Sequence, residues 1–348
     1  MRAFFDERQL RHAPQTYLRF GAALPHPEQP ERAVILRDML REEGFEIAAP
    51  ADAGTAPIKA VHDPAYVDFL PDAHARFMEV AAPGALAIPT HHPGPRRGRE
   101  PRDIRGQLGW WITDPSLPLT EGSWDAAYWS AQTAVAAADE VAGGARAAYA
   151  LCRPPGHHAM REAANGFCFF NNACIAAERL KGRFDRIALL DVDVHTGNGS
   201  MDILYGRGDV FFCSLHPDPA TFATYFLGHA DETGEGEGIG TTLNILLEQG
   251  ASQDDVLAHL DRGLEAIRDF KPEALVVSLG FDMAADDPLA AVGMRAGGFA
   301  EMARRIKALN LPTVLVQEGG YLGPSLADNA RAFLTAFRDA AAPAEAAA

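Results

Sequence analysis

Strand-length apolar runs alternate with amphipathic stretches of helical length through the middle and C-terminal parts of this chain. The spacing predicts a helix with Ser123 as N-cap, running through SWDAAYWSAQTAVAAADEVA until Gly143-Gly144 stops it. A strand over 147–151 follows, then a long loop, a helix capped by Asn171 and Asn172 and ending near Gly182, and a strand over 187–190. Further strands are predicted over 210–215, 274–279 and 313–317, with helices from Ser252, around 299–309 and over 325–338. Asp255, three residues after Ser252, gives that helix a start like a capping box. This alternation is the signature of a parallel sheet covered on both faces, an α/β architecture.

Residues 84–122 break the pattern. They are rich in Pro and Gly and lack clear helical periodicity, and the stretch is too long for a routine connection. It reads as an inserted functional loop or an oligomer contact. Trp110 and Trp111 within it call for burial against the body or another subunit. The last eight residues, 341–348, are an Ala-rich low-complexity tail expected to be disordered, which leaves 1–340 as a single domain.

A chain of 348 residues can bury one large core. The net charge of -16 argues against a general nucleic-acid or anionic-membrane binder. Cys152, Cys168, Cys174 and Cys213 have no CxxC spacing and sit among apolar neighbours, which points to buried free thiols in a reducing compartment. The amino terminus lacks the apolar stretch of a signal peptide, and no run approaches membrane-spanning length. A cytoplasmic protein is expected.

Four segments at the ends of predicted strands carry the candidate chemistry: Cys152–His158 (CRPPGHH), Asp191–His195 (DVDVH), Ser278–Asp282 (SLGFD) and Glu318–Tyr321 (EGGY). Open α/β sheets bind ligands outside that edge. Extended geometry through DVDVH turns Asp191, Asp193 and His195 to one side, and Asp282 from another strand completes an Asp/His/Asp metal trio with room for water and substrate. The oxygen-rich set also suits Mn²⁺ or Fe²⁺. His157 and His158 follow a stiff Pro-Pro-Gly turn and are suited to proton transfer. Tyr321, after Gly319 and Gly320, is suited to donate to a developing oxyanion. His91, His92, His216, His229 and His259 read as ordinary histidines, and Asp286 and Asp287 as turn formers before Pro288.

Together RPPGHH, NGFCFFNN, DVDVHTGNGS, SLGFD and EGGY resemble the histone deacetylase superfamily, particularly its class II-like bacterial branch and the acetylpolyamine amidohydrolases. HPEQPER at 26–32 and VHDPAYVDFL from Val61 fit the same resemblance, which covers nearly the whole chain. It implies an arginase/deacetylase-like three-layer α/β/α fold with a central, mostly parallel sheet, and zinc-dependent deacetylation. It makes Asp193, His195 and Asp282 the zinc ligands, and His157 and His158 the catalytic pair, oriented by Asp191 and Asn198. Tyr321 becomes the oxyanion donor, while Gly166 and Phe167 line a tunnel for the substrate's alkyl chain. A structural potassium ion is implied at Asp191, Asp193, His195, Ser214 and Leu215. A homodimer through 84–122 is implied by relatives and by the length of that loop.

Two positions depart from the family pattern. Thr196 stands where a second histidine usually follows the zinc-binding one, so altered packing around the site is expected. Acetylpolyamine-selective relatives present acidic residues from the region of 84–122. Here Arg96, Arg97, Arg99, Arg102 and Arg105 outnumber Glu100 and Asp103, which keeps acetyl-lysine protein substrates open beside small acetylated amines. A binuclear ureohydrolase would need Asp-x-Asp in the later segment, and Ala284 stands two residues after Asp282. A non-catalytic binding module is the remaining alternative.

Overall fold

A computed structural model describes residues 1–94 and 97–340. Arg96 and the predicted tail at 341–348 lie outside the described residues.

The strands are β1 (Arg2–Phe4), β2 (Thr16–Arg19), β3 (Ala22–Pro25), β4 (Ile47–Ala48), β5 (Ala147–Ala150), β6 (Ile187–Asp191), β7 (Val210–Pro217), β8 (Thr242–Leu247), β9 (Ala274–Leu279) and β10 (Thr313–Gln317). Among the described residues, β2 and β3 form an antiparallel hairpin. The other eight make one sheet in the order β4-β1-β5-β10-β9-β6-β7-β8. Every neighbouring pair in it is parallel.

The helices are α1 (Pro30–Glu42), α2 (Ala56–Lys59), α3 (Pro64–Met78), α4 (Ile104–Trp111), α5 (Ser123–Ala142), α6 (Asn172–Leu180), α7 (Asn198–Leu204), α8 (Gln253–Phe270), α9 (Ala296–Lys307) and α10 (Leu326–Asp339). Successive strand residues face opposite sides. Ala148, Ala150, Leu189, Val276 and Val314 pack with residues of α3 to α7. Ala147, Tyr149, Leu190, Val277 and Leu315 pack with α1, α8, α9 and α10. Two apolar cores therefore sandwich the sheet. That is the three-layer arrangement the alternation implied, with a sheet that is wholly parallel among the described residues.

Local signals placed half of these elements, namely β5, β6, β7, β9, β10, α5, α6, α8, α9 and α10. Asn171 caps α6 by accepting the Cys174 N–H at 3.0 Å. Ser252 and Asp255 cap α8 reciprocally. Ser123 proved to be the first helical residue of α5 rather than its cap. Its hydroxyl accepts the Thr120 N–H at 2.7 Å and lies 2.9 Å from His12 Nδ1.

The segment 84–122 corrects the expectation that it lacks helix. Asp103 caps α4 by accepting the Arg105 N–H at 2.9 Å. Gly106 and Gly109 hid this helix in the sequence. A Cβ at Gly109 would collide with the His91 carbonyl, so the glycine serves close packing. Ile104, Leu108, Trp111, Leu117 and Leu119 join the main core, and Trp111 packs on Tyr66 and Phe69. Trp110 is partly buried, with the Arg97 guanidinium 4.2 Å from its ring centre.

Candidate active site

β5, β10, β9 and β6 are consecutive in the middle of the sheet, and being parallel they end on one edge. The four chemistry-bearing segments leave those four strands. Topology thus brings them together, although Cys152 and Tyr321 are far apart in sequence.

β6 ends at Asp191, so extended geometry does not continue through DVDVH as expected. Instead each acid accepts the amide two residues on: Asp191 Oδ1 from Asp193 N at 3.1 Å, and Asp193 Oδ1 from His195 N at 2.9 Å. These Asx-type turns fix both carboxylates. Donor atoms of Asp193, His195 and Asp282 all lie within 4.8 Å of one another, a spacing that could hold a metal ion. His195 Nδ1 is 3.1 Å from Asp282 Oδ2 and 3.3 Å from Asp193 Oδ1. Both acids are fully buried. Burial and the charge of Asp193 push Asp282 up to about 7. Burial disfavours the His195 cation, but hydrogen bonds to Asp193 and Asp282 outweigh it and push His195 up to about 9. Two desolvated acids gripping one imidazole make a centre that binds positive charge. The donor set of two oxygens and one nitrogen fits a divalent metal.

His157 Nδ1 lies 3.0 Å from Asp191 Oδ2, and His158 Nδ1 lies 2.6 Å from Asn198 Oδ1. The two rings are 4.0 Å apart. Their environments separate them. Burial opposes charge on His157, but Asp193 and Asp191 hold its pKa well above the usual value. Burial, His157 and His195 hold His158 well below.

Tyr321 is buried, and Gly320 ahead of it has φ +105°, a left-handed turn open to glycine. At Gly319 a Cβ would collide with Asp282 and Asp193, so only a bare backbone passes there. Asp287, read from sequence as a turn former, also accepts the Tyr321 N–H at 2.7 Å. Burial raises the Tyr321 pKa well above the phenol range, keeping it a proton donor.

Of these groups His158, His195, Asn198 and Tyr321 line a cavity of about 570 Å³, with Gly166 and Phe167 among its other walls. Phe167 packs edge-on against Tyr17 and Tyr321. Phe222, on the loop after β7, stacks on His195 at 5.4 Å. Sequence reasoning missed Tyr17, Phe222, Leu289 and Asp114, which line the same cavity. They lie on a hairpin and in loops without periodicity, and the aromatic run TFATYF at 221–226 was the available signal.

Ser214 and Leu215 lie on β7, where Ser214 is the register partner of Asp191. The Ser214 hydroxyl is 2.8 Å from His216 Nδ1. Thr196 is fully buried, and its hydroxyl has no hydrogen-bond partner among the described residues. Gly228 sits against both Thr196 and His216, leaving no space for a Cβ. The arginines Arg97, Arg99, Arg102 and Arg105 are not among the residues lining the cavity; its charged rim residues are Asp114 and Arg19. Arg97 instead pairs with Glu162, and Arg105 pairs with Asp103 at 2.6 Å.

The family model for the histone deacetylase domain matches residues 26–337, which include all four segments at this sheet edge. The chain belongs to that family and is a hydrolase of the deacetylase class. It is 44% identical over 341 residues to the acetylpolyamine amidohydrolase of Burkholderia pseudomallei, covering 97% of this chain and 98% of that one. It is 42% identical to the acetylpolyamine amidohydrolase of Mycoplana ramosa, covering 94% and 97%. The crystal structure of acetylpolyamine aminohydrolase from Burkholderia pseudomallei superposes with a TM-score of 0.94 at 43% identity, covering 97% of this chain and 99% of that one.

Proposed function

We propose that this enzyme removes the acetyl group from a small acetylated amine of the acetylpolyamine class, using zinc held by Asp193, His195 and Asp282. The observation that carries the reading is the convergence of those three donors within 4.8 Å of one another, with His195 lining the cavity that His158 and Tyr321 also line. Zinc at such a site polarises an acyl carbonyl and lowers the pKa of water. Ala284, two residues beyond Asp282, supplies no carboxylate for a second ion, which favours one metal over a ureohydrolase pair.

The chain's own residues supply the rest. His158 is kept neutral; with Nδ1 toward Asn198 Oδ1, its Nε2 is free to take a proton from attacking water. His157, charged beside Asp191, is the acid that supports the leaving amine. The Tyr321 phenol donates to the negative charge developing on the acyl oxygen as water adds to the acyl carbon. Gly166, Phe167 and Phe222 exclude water from the methylene chain. Asp114 accepts from Ser116 N at 2.7 Å and Ser116 Oγ at 2.6 Å, which fixes a carboxylate on the cavity wall for a substrate ammonium. That half-buried acid favours a small cationic amine over a protein acetyl-lysine.

A potassium ion at Asp191, Asp193, His195, Ser214 and Leu215 belongs to the same reading, supported by the Asp191–Ser214 register pair and the burial of both. So does a homodimer through 84–122, a segment that keeps Leu86 exposed; a monomeric mass in solution scattering contradicts it. Four buried free thiols support a reducing, cytoplasmic location. Among the described residues no helix is long and apolar enough to cross a membrane. The deciding experiment is turnover on acetylputrescine, acetylspermidine, acetyl-lysine peptides and longer acyl-lysines. Hydrolysis confined to the peptides overturns the small-amine assignment.

A further inference from the structure

Glu318 is fully buried at the end of β10, and its side chain has no ion-pair partner among the described residues. Leaving a carboxylate desolvated without a cation is costly, so its hydrogen bonds must hold it there. Oε2 accepts the N–H of Gly156 at 2.6 Å and of His157 at 3.1 Å, while Ser278 Oγ lies 3.4 Å from Oε1. Pro154 and Pro155 have no N–H to offer, so Gly156 and His157 carry the first free amides of the PPGHH turn. A Cβ on Gly156 would run into Asn172 N and the Phe170 carbonyl, so only a bare glycine lets this turn approach. Burial pushes Glu318 up to about 7.

The same residue is tied from its other side. Its N–H donates to the Leu279 carbonyl at 2.9 Å, and its carbonyl accepts from Arg32 Nη2 at 2.7 Å. Tyr321 lies three residues on. One residue therefore joins the turn that carries the histidine pair to the turn that carries the phenol.

We propose that Glu318 is a positioning residue: its carboxylate clamps the Gly156 and His157 amides and so fixes the His157 ring relative to Asp191 and to Tyr321. The inference rests on the reading of His157 and Tyr321 as reacting groups. His157 is then held at both ends, through its backbone by Glu318 and through Nδ1 by Asp191. Misplacement of a reacting group by about 1 Å costs on the order of a hundredfold in rate.

The test pairs turnover with amide hydrogen exchange of the 153–158 segment, whose protons at Gly156 and His157 report the clamp directly. Glu318→Ala is expected to lower kcat by at least about tenfold with KM within about twofold. Metal content should be unchanged, and exchange of the segment faster. Glu318→Gln keeps an oxygen acceptor and should restore kcat to within about threefold, together with protection. Wild-type kcat and protection in Glu318→Ala overturns the proposal. So does a folded, metal-loaded Glu318→Gln as impaired as Glu318→Ala, because the charge rather than the acceptor would then matter. Should Glu318→Ala not fold, Glu318→Asp replaces it: one methylene shorter, it is expected to lose protection and kcat alike, and wild-type behaviour overturns the clamp. Absence of amide hydrolysis in the unaltered enzyme would be a failure of the proposed function instead, and the exchange measurement would still decide the clamp.

Discussion

Asn198 Oδ1 lies 2.6 Å from Nδ1 of His158. An amide oxygen accepts only, so His158 carries its proton on Nδ1 and presents a bare Nε2. Its neighbour His157 faces a carboxylate, Asp191, at 3.0 Å. Burial, His157 and His195 hold His158 uncharged, while Asp193 and Asp191 favour the His157 cation, so the proposed mechanism assigns His158 as base and His157 as acid.

Exchanging that partner should therefore move the pH profile. Asn198→Asp puts a negative charge beside Nδ1 and favours the imidazolium, so the base form appears only at higher pH. The acidic limb of kcat/KM is expected to rise by about one pH unit. An unmoved limb shows that His158 is not the group titrating.

Tyr321→Phe should retain metal and fold while losing on the order of 10²–10³ in kcat, the usual cost of one oxyanion donor. Steady-state kinetics with metal analysis checks this. Turnover near the unaltered rate removes the phenol from the mechanism.

Substrate choice should follow the two charged groups on the cavity wall. Asp114→Asn is expected to raise KM for acetylputrescine by several-fold and to affect an uncharged acetyl-alkylamine little. Arg19 is exposed and has no ion-pair partner among the described residues. Arg19→Glu should favour acetylspermidine over acetylputrescine by about two- to fivefold, because an exposed charge is screened. Equal effects on charged and uncharged substrates would contradict both roles.

A pH effect on stability is expected from His62. Its Nδ1 faces the Met160 carbonyl at 2.9 Å, and its Nε2 accepts the Asn171 N–H at 2.9 Å, so the neutral ring satisfies both. Burial pushes its pKa down to about 4. The unfolded chain then takes up a proton near the ordinary value of 6.5 that the folded one refuses. Stability is whole above that value and falls as pH drops toward 4, by about 3 kcal/mol for this group. Urea midpoints between pH 8 and 4 should show a shallower decline in His62→Gln. Parallel declines would contradict the assignment.

The sequence made the middle of the sheet legible because β5, β6, β9 and β10 are continuous apolar runs. The motifs that leave them meet at one sheet edge, although DVDVH gets there through Asx-type turns and not through the extended spacing expected. Contacts settled by tertiary packing were not legible. α4 looked like loop because Gly109 packs on the His91 carbonyl. Asp287 looked like a turn former because its hold on the Tyr321 amide spans 34 residues. The arginines of 97–105 count less against a cationic substrate once placed: Arg97 pairs with Glu162 and the Trp110 face, Arg105 pairs with Asp103, and none of Arg97, Arg99, Arg102 and Arg105 lines the cavity.

The most direct measurement is metal stoichiometry against turnover. Protein stripped by a chelator and titrated with zinc should recover amide hydrolysis in proportion to bound metal, saturating at about one ion per chain, while Asp282→Ala binds none tightly. Undiminished hydrolysis by the metal-free enzyme, or by Asp282→Ala, would contradict a reaction centred on Asp193, His195 and Asp282.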